Sequence, residues 1–159
     1  MSNIEVFRKI DLFRELSNAE LIKVGNLTQR VSFNKGDIVF RRGEPGDALF
    51  LIRDGQMEVL APSPEAEEVE DVVAVLDPGQ LFGEMALVER EPRSATVRAK
   101  TDAKLLRIRK EYFDELMQKE HAIALKIYKR LTIILSKRLR ETTERLGIAN
   151  QIIRMTSNK

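Results

Sequence analysis

Short apolar runs separated by tight turns fill the middle of the chain, and this pattern restricts the possible folds more than any other feature. The turns combine Gly, Pro and Asp, and they lie at 35–37, 43–47, 54–55 and 77–79. The runs are rich in β-branched and aromatic residues, and they lie at 38–40, 49–52, 57–60, 72–76, 96–99 and 105–108. Short strands between such turns predict an antiparallel β-roll or jelly-roll barrel over residues 29–109.

A helical segment is predicted before the barrel, over residues 1–28. Ser17 has the character of an N-cap, and Glu20 follows three positions later, which is the pattern of a capping box. The helix that begins there is expected to continue to about Leu27. Such a segment can cover one edge of the barrel, and this role requires no part in signalling.

The apolar spacing becomes helical again after the barrel, over residues 110–159. It predicts a short helix at 111–119 and a longer one from His121 to about Leu146. The fold class is therefore α+β and mainly β. We expect one domain over residues 1–159: a jelly-roll barrel with N-terminal helices and a long C-terminal helix.

Composition excludes several kinds of chemistry. The chain has no Cys and a single His, His121, so thiolate catalysis, disulfides and a histidine-based metal site are poor interpretations. The charged start resembles no signal peptide, and the longest strongly apolar stretch, 131–135, is far too short to cross a bilayer. These features predict a cytoplasmic protein without a membrane partner.

Charge is unevenly distributed along the chain. Residues 1–103 carry 13 Lys and Arg against 19 Asp and Glu, whereas residues 104–159 carry 14 against 6. The basic residues are dispersed, which favours a solvated helix face over a nucleic-acid interface. The acidic segment Pro62–Asp71 is predicted to be a solvated hairpin tip rather than a metal site, because nothing fixes the geometry of its carboxylates.

Residues 82–96 place a carboxylate and a guanidinium nine positions apart, at Glu84 and Arg93. Gly83 precedes a potential helical turn at 84–88, whose exposed N–H groups favour an anion. Arg93 presents a fork of donors suited to two phosphate oxygens, and Glu84 is an acceptor suited to a hydroxyl. A ligand that satisfies both has a phosphate and a sugar hydroxyl a few ångströms apart.

This segment resembles the phosphate-binding cassette of the cyclic-nucleotide-binding family, F-G-E-x-A-L followed by R-(A/S/T)-A. The matching residues are Phe82, Gly83, Glu84, Ala86, Leu87, Arg93, Ser94 and Ala95. The resemblance implies that Arg93 holds the cyclic phosphate and that Glu84 accepts the ribose 2′-hydroxyl. The expected ligand-binding residues of the cassette are Gly83, Glu84, Met85, Ala86, Arg93, Ser94 and Ala95. No catalytic residue and no metal ligand are expected.

A second, shorter resemblance lies on the long helix. Residues 139–147 are similar to the central helix of the bacterial catabolite activator proteins. The resemblance implies that Thr142 and Thr143 meet the base, one from each subunit of a dimer, and that Arg138 lies close to the nucleotide pocket. A Thr hydroxyl can donate or accept, so it does not by itself choose adenine over guanine.

The same family resemblance suggests cAMP as the ligand. Directly after the arginine, many cAMP-binding members have alanine or serine, and many cGMP-binding members have threonine. Ser94 therefore favours cAMP, with cGMP as the alternative.

The long helix also predicts a homodimer. Its apolar or small residues recur mostly at alternating steps of three and four, which is typical of a coiled-coil seam. They are Ala124, Tyr128, Leu131, Leu135, Leu139, Thr142, Leu146, Ala149 and Ile153. The alternative is a single amphipathic helix that packs on its own barrel. Apolar residues at 133–135 lie on more than one side of the helix, which favours the dimer.

The combined interpretation is a cyclic-nucleotide sensor without its own effector domain. Catabolite activators continue into a helix-turn-helix domain, and the last residue of this sequence is Lys159, so we expect no direct DNA binding and an unknown effector protein as partner. One alternative is the effector-binding part of a transcription regulator that lacks its DNA-binding domain. Another is a dimerisation module with a non-functional pocket. An enzyme is the weakest alternative, because no nucleophile is paired with a base.

Overall fold

The computed structural model describes residues 3–66 and 68–157. Met1, Ser2, Glu67, Asn158 and Lys159 belong to the predicted N-terminal segment, acidic loop and C-terminal helix, and they lie outside the described residues. No helix in the described part of the chain is both long enough and apolar enough to cross a membrane.

Five α-helices surround the strands of the described chain. They are α1 (Asn3–Arg8), α2 (Asn18–Gly25), α3 (Met85–Val88), α4 (Lys110–Lys119) and α5 (His121–Ser157), and a 3-10 turn at Asp11–Phe13 joins α1 to α2. The predicted capping box is confirmed, because the Ser17 side chain accepts from the Glu20 N–H and the Glu20 carboxylate accepts from the Ser17 N–H. The helix ends at Gly25, slightly before the predicted Leu27.

The strands form two antiparallel sheets of four strands each within the described residues. One sheet has the order β1-β8-β3-β6 and the other has the order β2-β7-β4-β5. The strands are β1 (Thr28–Phe33), β2 (Ile38–Phe40), β3 (Ala48–Asp54), β4 (Met57–Pro62), β5 (Glu70–Leu76), β6 (Leu81–Phe82), β7 (Thr96–Ala99) and β8 (Ala103–Arg109). The predicted mainly-β fold with flanking helices is confirmed.

Strand β3 shows how the two hydrophobic cores are separated. Successive side chains of a strand point to opposite faces. Leu49 and Leu51 accordingly join a cluster formed with the helices, whereas Phe50 and Ile52 join a cluster between the two sheets. Both faces of β3 are therefore covered, which explains why residues 48–52 are an uninterrupted apolar run.

The inner cluster between the sheets contains three packed aromatic rings. Phe50 and Phe82 stack with their centroids 5.1 Å apart, and Phe40 lies 5.8 Å from Phe82 and 6.0 Å from Phe50. The cluster brings together β2, β3 and β6, the strand in which the predicted cassette begins. It thereby packs against the start of the cassette at Phe82.

The first half of α5 is bound to the rest of its own chain. Ile123, Ala124, Ile127 and Leu131 are buried in the helical cluster. Ion pairs with the N-terminal segment reinforce this packing, and they join Lys126 to Glu20, Lys129 to Glu15 and Arg130 to Asp11. We call residues 121–135 the anchored half of α5.

The second half of α5 is different. Every residue from Leu139 to Ser157 is exposed. The predicted end near Leu146 is wrong, because the helix continues through Gly147 to Ser157. An exposed helical Gly costs only about 1 kcal/mol relative to Ala, which its neighbours can tolerate. We call residues 139–157 the outer half.

The predicted seam is therefore divided between the two halves. Ala124 and Leu131 pack into the chain's own core, and Leu135 packs partly against it, so this part of the seam is intramolecular. Tyr128 contacts Phe113 edge-on, with ring centroids 6.4 Å apart. The argument from residues 133–135 is corrected, because Ile134 packs against the same core and Ile133 lines a cavity of the same chain.

The acidic segment forms a hairpin tip between β4 and β5, as predicted, but its bounds are narrower. Pro62 pairs with Glu70, and Asp71 pairs with Ala61, so these residues belong to strands. Pro62 does not break this pairing, because proline is compatible with the end of a strand where its missing N–H is not required.

Candidate functional site

A cavity of about 550 Å³ lies between the barrel and α5. This volume is within the range of small-ligand sites. The predicted cassette forms one wall through Gly83–Ala86 and Arg93–Ala95. One face of α5 forms the opposite wall, at residues 137, 138, 141, 142 and 145, and residues 74–76 of β5 close the far side. The structure thus brings all seven predicted cassette residues to one cavity.

Arg93 is 7% exposed and is held by the backbone of two other segments. Its Nη2 donates to the Ala48 carbonyl at 2.8 Å, and its Nη1 donates to the Gly83 carbonyl at 3.3 Å. The guanidinium lies 4.0 Å from the centre of the Phe40 ring, and Asp47 approaches its Nη2 at 3.8 Å. These contacts fix the orientation of the guanidinium.

One donor of Arg93 is unused. Its buried Nε has no hydrogen-bond partner among the described residues. A buried unpaired donor is rare in folded proteins, and its cost is offset when a ligand accepts from it. Burial lowers the pKa of Arg93 below its ordinary value, while the nearby carboxylates of Asp47 and Glu44 oppose that shift. The guanidinium stays charged and is suited to a bound anion.

Gly83 allows the cassette to approach Arg93. Its φ of +76° lies in the left-handed region, which residues with a Cβ rarely adopt. A Cβ at this position would lie 2.7 Å from Arg93 Nη1 and 3.0 Å from the Ala48 carbonyl. A side chain here would therefore displace the arginine from its carbonyl partners.

The cassette helix α3 is tightly packed from behind. A Cβ on Gly46 would lie 2.8 Å from the Ala86 Cβ, so the loop before β3 contacts α3 directly. At the other end of α3, the Leu87 carbonyl accepts from Lys110 Nζ at 3.2 Å. These contacts hold the four-residue helix in one position relative to the barrel.

Glu84 is 6% exposed and forms an ion pair with Arg138 of α5. Arg138 also donates to the Leu81 carbonyl at 2.6 Å. The family resemblance placed Arg138 near the pocket, and the structure shows that it meets the glutamate of the cassette directly. Among the seven predicted ligand-binding residues of the cassette, the two charged ones therefore have different partners: Glu84 contacts α5, and Arg93 contacts the backbone of Gly83 and of β3.

The two threonines of α5 differ in position. Thr142 lines the cavity, and its hydroxyl donates to the Arg138 carbonyl at 2.8 Å. Thr143 is exposed and is absent from the cavity wall of its own chain, and its hydroxyl donates to the Leu139 carbonyl at 2.9 Å. Contact of Thr143 with a base would require a second subunit, so that role stays a prediction.

Several residues around the cavity were not identified from the sequence. The Phe40 ring lies against the guanidinium of Arg93. Asp47, which is 46 positions earlier in the chain, approaches Nη2 of the same guanidinium. Glu141 and Arg145 line the α5 wall together with Thr142. Glu141 and Arg145 are four residues apart and share a helix face with Arg138, which was predicted to lie near the pocket. This spacing is the sequence signal that would have identified them.

No group of three or more His, Cys, Asp or Glu residues suited to a metal ion occurs within residues 3–66 and 68–157. The cavity wall instead carries the buried guanidinium of Arg93 and the buried carboxylate of Glu84.

The antiparallel barrel thus presents the buried Arg93 to a cavity beneath a helix. The family model of the cyclic nucleotide-binding domain matches residues 30–120, more than half of the chain. The chain belongs to the cyclic nucleotide-binding domain family.

Relatives include ion channels and kinase subunits. The chain is 34% identical over 122 residues to a cyclic nucleotide-gated potassium channel of Mesorhizobium japonicum, covering 77% of this chain and 32% of the channel. It is 32% identical over 109 residues to a cAMP-dependent protein kinase regulatory subunit of Emericella nidulans, covering 69% of this chain and 25% of that subunit. The chain thus spans about a third or less of these curated relatives.

Among solved structures, the catabolite activator protein of Thermus thermophilus is similar in fold. The TM-score is 0.75 at 29% identity, and the match covers 88% of this chain and 63% of that protein. The matches cover between a quarter and about two thirds of these three proteins.

Proposed function

We propose that this chain is a regulatory module that binds cAMP in the cavity beneath α5 and responds by changing the position of that helix. The observation that carries the proposal is the buried Arg93, whose Nε has no partner among the described residues although its other nitrogens are held by backbone carbonyls. Such a preoriented donor lacks only an anionic acceptor.

The remaining cavity groups fit the other parts of a cyclic nucleotide. In this proposal, Arg93 holds the cyclic phosphate, and the Glu84 carboxylate accepts the ribose 2′-hydroxyl beside it. The backbones of Gly83 and Ala86 border the same space, and Ser94 lies next to the arginine. In this proposal these groups bind the ligand and do not turn it over, because Glu84 as an acceptor orients a hydroxyl.

The contact of Glu84 with Arg138 provides a route from the cavity to α5. A ligand hydroxyl that approaches Glu84 shares or displaces the Arg138 guanidinium, which belongs to the moving helix. A ligand shifts the equilibrium between two positions of α5 only to the extent that it binds one of these positions more tightly than the other. The signal then leaves through α5, towards an effector protein or a second copy.

Isothermal titration of the wild-type chain with cAMP and then cGMP, at fixed salt, tests the ligand. We expect one cAMP site per chain and weaker binding of cGMP. Arg93→Ala should weaken cAMP binding by about 2–5 kcal/mol, because it removes the charged partner of a buried anion. This change corresponds to about 30- to 4,000-fold in Kd.

Arg90→Ala is the matched control, because Arg90 lies in the same loop and is absent from the cavity wall. It should leave the cAMP affinity unchanged. Equal affinity of wild type and Arg93→Ala for cAMP would refute the assigned phosphate site. No heat with either nucleotide, from folded protein freed of bound nucleotide, would refute the ligand and favour a module with a non-functional pocket.

A homodimer along the outer half of α5 is the second part of the proposal. Large apolar side chains are more than half exposed there, at Leu139, Leu146, Ile148, Ile152, Ile153 and Met155. Exposed apolar surface of this extent is typical of an interaction site. Light scattering of wild type and Leu146→Glu tests it: the wild type should be a dimer and the variant a monomer, and a monomeric wild type with and without cAMP contradicts the dimer.

A further inference from the structure

The methionines among the described residues differ sharply in exposure. Met57 and Met117 are 0% and 6% exposed and belong to the two hydrophobic clusters, whereas Met85 and Met155 are 46% and 68% exposed. The chain has no Cys, so methionine thioethers are its only sulfur groups that a peroxide can oxidise. An oxidant in solution therefore reaches Met85 and Met155 of the single chain before it reaches the two buried methionines.

Of these two exposed methionines, only Met85 lies at the proposed ligand site. It is the first residue of α3, and it lines the cavity beneath α5 between Glu84 and Ala86. Met155 lies in the outer half of α5 and is absent from the cavity wall. The chain thus offers one exposed thioether at the cavity and one away from it.

The sulfur of Met85 has a polar neighbour within the cavity. Ser94 Oγ donates to Met85 Sδ at 3.8 Å, and both residues line the wall. A thioether sulfur is a weak acceptor, so the Ser94 hydroxyl is held loosely and can turn towards a ligand. Ser94 directly follows Arg93, which holds the phosphate in the proposed function.

Oxidation by hydrogen peroxide turns the Met85 thioether into a strong acceptor. The sulfur attacks one oxygen of the peroxide, the O–O bond breaks and an S–O bond forms. The other oxygen leaves as hydroxide, and it takes the proton of the transferred oxygen and becomes water. The sulfur loses two electrons and the peroxide gains two. The product, methionine sulfoxide, is a polar side chain in place of an apolar one.

A sulfoxide at position 85 opposes an anionic ligand in two ways. Its oxygen accepts from the Ser94 hydroxyl, which is then not available to the phosphate. The same oxygen carries partial negative charge on the cavity wall and repels a phosphate held at Arg93. We propose that Met85 is an oxidation site through which a peroxide lowers the affinity of the cavity for a cyclic nucleotide, an inference that rests on the proposed function.

Peptide mass spectrometry during treatment with hydrogen peroxide locates the sulfoxides and gives their rates of formation. We expect Met85 to be converted well before the buried Met57 and Met117. Bound cAMP should slow the conversion of Met85, because the ligand covers the cavity wall, and it should not slow the conversion of Met155.

Titration calorimetry with cAMP measures the consequence for binding. We expect peroxide-treated wild type to bind about tenfold more weakly than the untreated protein, the scale of one lost hydrogen bond to a charged group that is partly exposed to water. Treatment with the two methionine sulfoxide reductases, one for each sulfoxide epimer, should restore the original Kd.

Met85→Leu and Met155→Leu are matched variants, because each removes one exposed thioether and keeps an apolar side chain of similar size. Each variant is compared only with itself before and after peroxide. Met85→Leu should keep its own Kd through the treatment, and Met155→Leu should lose affinity to the same extent as wild type.

The outcomes separate this inference from the proposed function. If untreated wild type binds cAMP and conversion of Met85 leaves the Kd unchanged, the cAMP site stands and the effect of oxidation is overturned. Met85 is also overturned as the responsible residue if it is converted no faster than Met57, or if Met85→Leu loses affinity as wild type does. If untreated wild type binds no cyclic nucleotide, the proposed function fails and the inference fails with it.

Discussion

The two halves of α5 continue one helix and one apolar spacing, yet they have different surroundings. The anchored half is buried against the N-terminal helices and carries three ion pairs to them. The outer half has every residue exposed. Arg138 lies between the halves and connects the helix to Glu84. The periodicity of a helix therefore identifies an apolar stripe, but it does not say whether the same chain covers that stripe.

The largest expected contrast between the halves is in core packing. Leu131→Ala should lower the free energy of unfolding by about 2–5 kcal/mol, because Leu131 is 2% exposed in the helical cluster. Leu146→Ala makes the same chemical change at 60% exposure in the single chain, and at protein concentrations where the chain is monomeric it should alter this free energy by no more than about 0.5 kcal/mol. Urea unfolding of both variants measures the difference.

A second result of that experiment would sharpen the contrast. A cost for Leu146→Ala that grows with protein concentration would mean that a second copy covers the outer half. If both variants lost the same free energy of unfolding at every protein concentration, the distinction between the two halves would be wrong.

The next largest effect on stability is expected at Arg138, which lies between the two halves of α5. Arg138→Ala leaves the buried Glu84 carboxylate without its ion-pair partner and removes a hydrogen bond to the Leu81 carbonyl. We expect a loss of about 1–3 kcal/mol in the free energy of unfolding, the cost of an unsatisfied buried group. Urea unfolding measures this loss, with the exposed Arg140→Ala as control. An effect of Arg138→Ala no larger than that of the control would show that the contact adds nothing to stability.

The smallest effect concerns the ion pair between Lys126 and Glu20. The hydrogen bond from Lys126 lowers the pKa of Glu20 in the folded protein. The stability that this lowered pKa contributes is fully present above the unfolded pKa of Glu20, about 4.3. It is lost as the pH falls through the lower pKa of the folded protein. Lys126→Met should therefore cost about 0.5 kcal/mol at pH 7 and less in strong acid.

Unfolding measured at pH 7 and pH 3 checks this dependence. Lys129→Met serves for comparison, since its amino group is 3.7 Å from Glu15. A cost of Lys126→Met that stays constant between the two pH values would show that packing of the lysine stem, rather than the charge of Glu20, is responsible.

Features set by neighbouring residues were predictable from the sequence. The capping box at Ser17 depends on four consecutive residues, and strands β2 and β7 have the predicted bounds because local breaks in the apolar pattern enclose them. The cassette was recognisable for the same reason, since all of its polar groups lie within residues 82–96.

Features that depend on distant pairing were not predictable in the same way. The partner of Glu84 is 54 positions away, and the carbonyl that holds Arg93 is 45 positions away. No local spacing identifies such pairs. Strands β1 and β6 were also not delimited, because Thr28–Phe33 is largely polar and β6 contains only two residues.

The close approach of Gly46 to Ala86 has a consequence for natural sequence variation. Position 46 has no space for a Cβ, although its neighbour Ala86 rather than Gly46 itself lines the cavity. A larger residue at position 46 would displace the cassette helix α3. It would thereby change the cavity wall without lining the cavity itself. Among related genes, positions 46 and 86 should therefore vary together, and a gain in size at one should accompany a loss at the other.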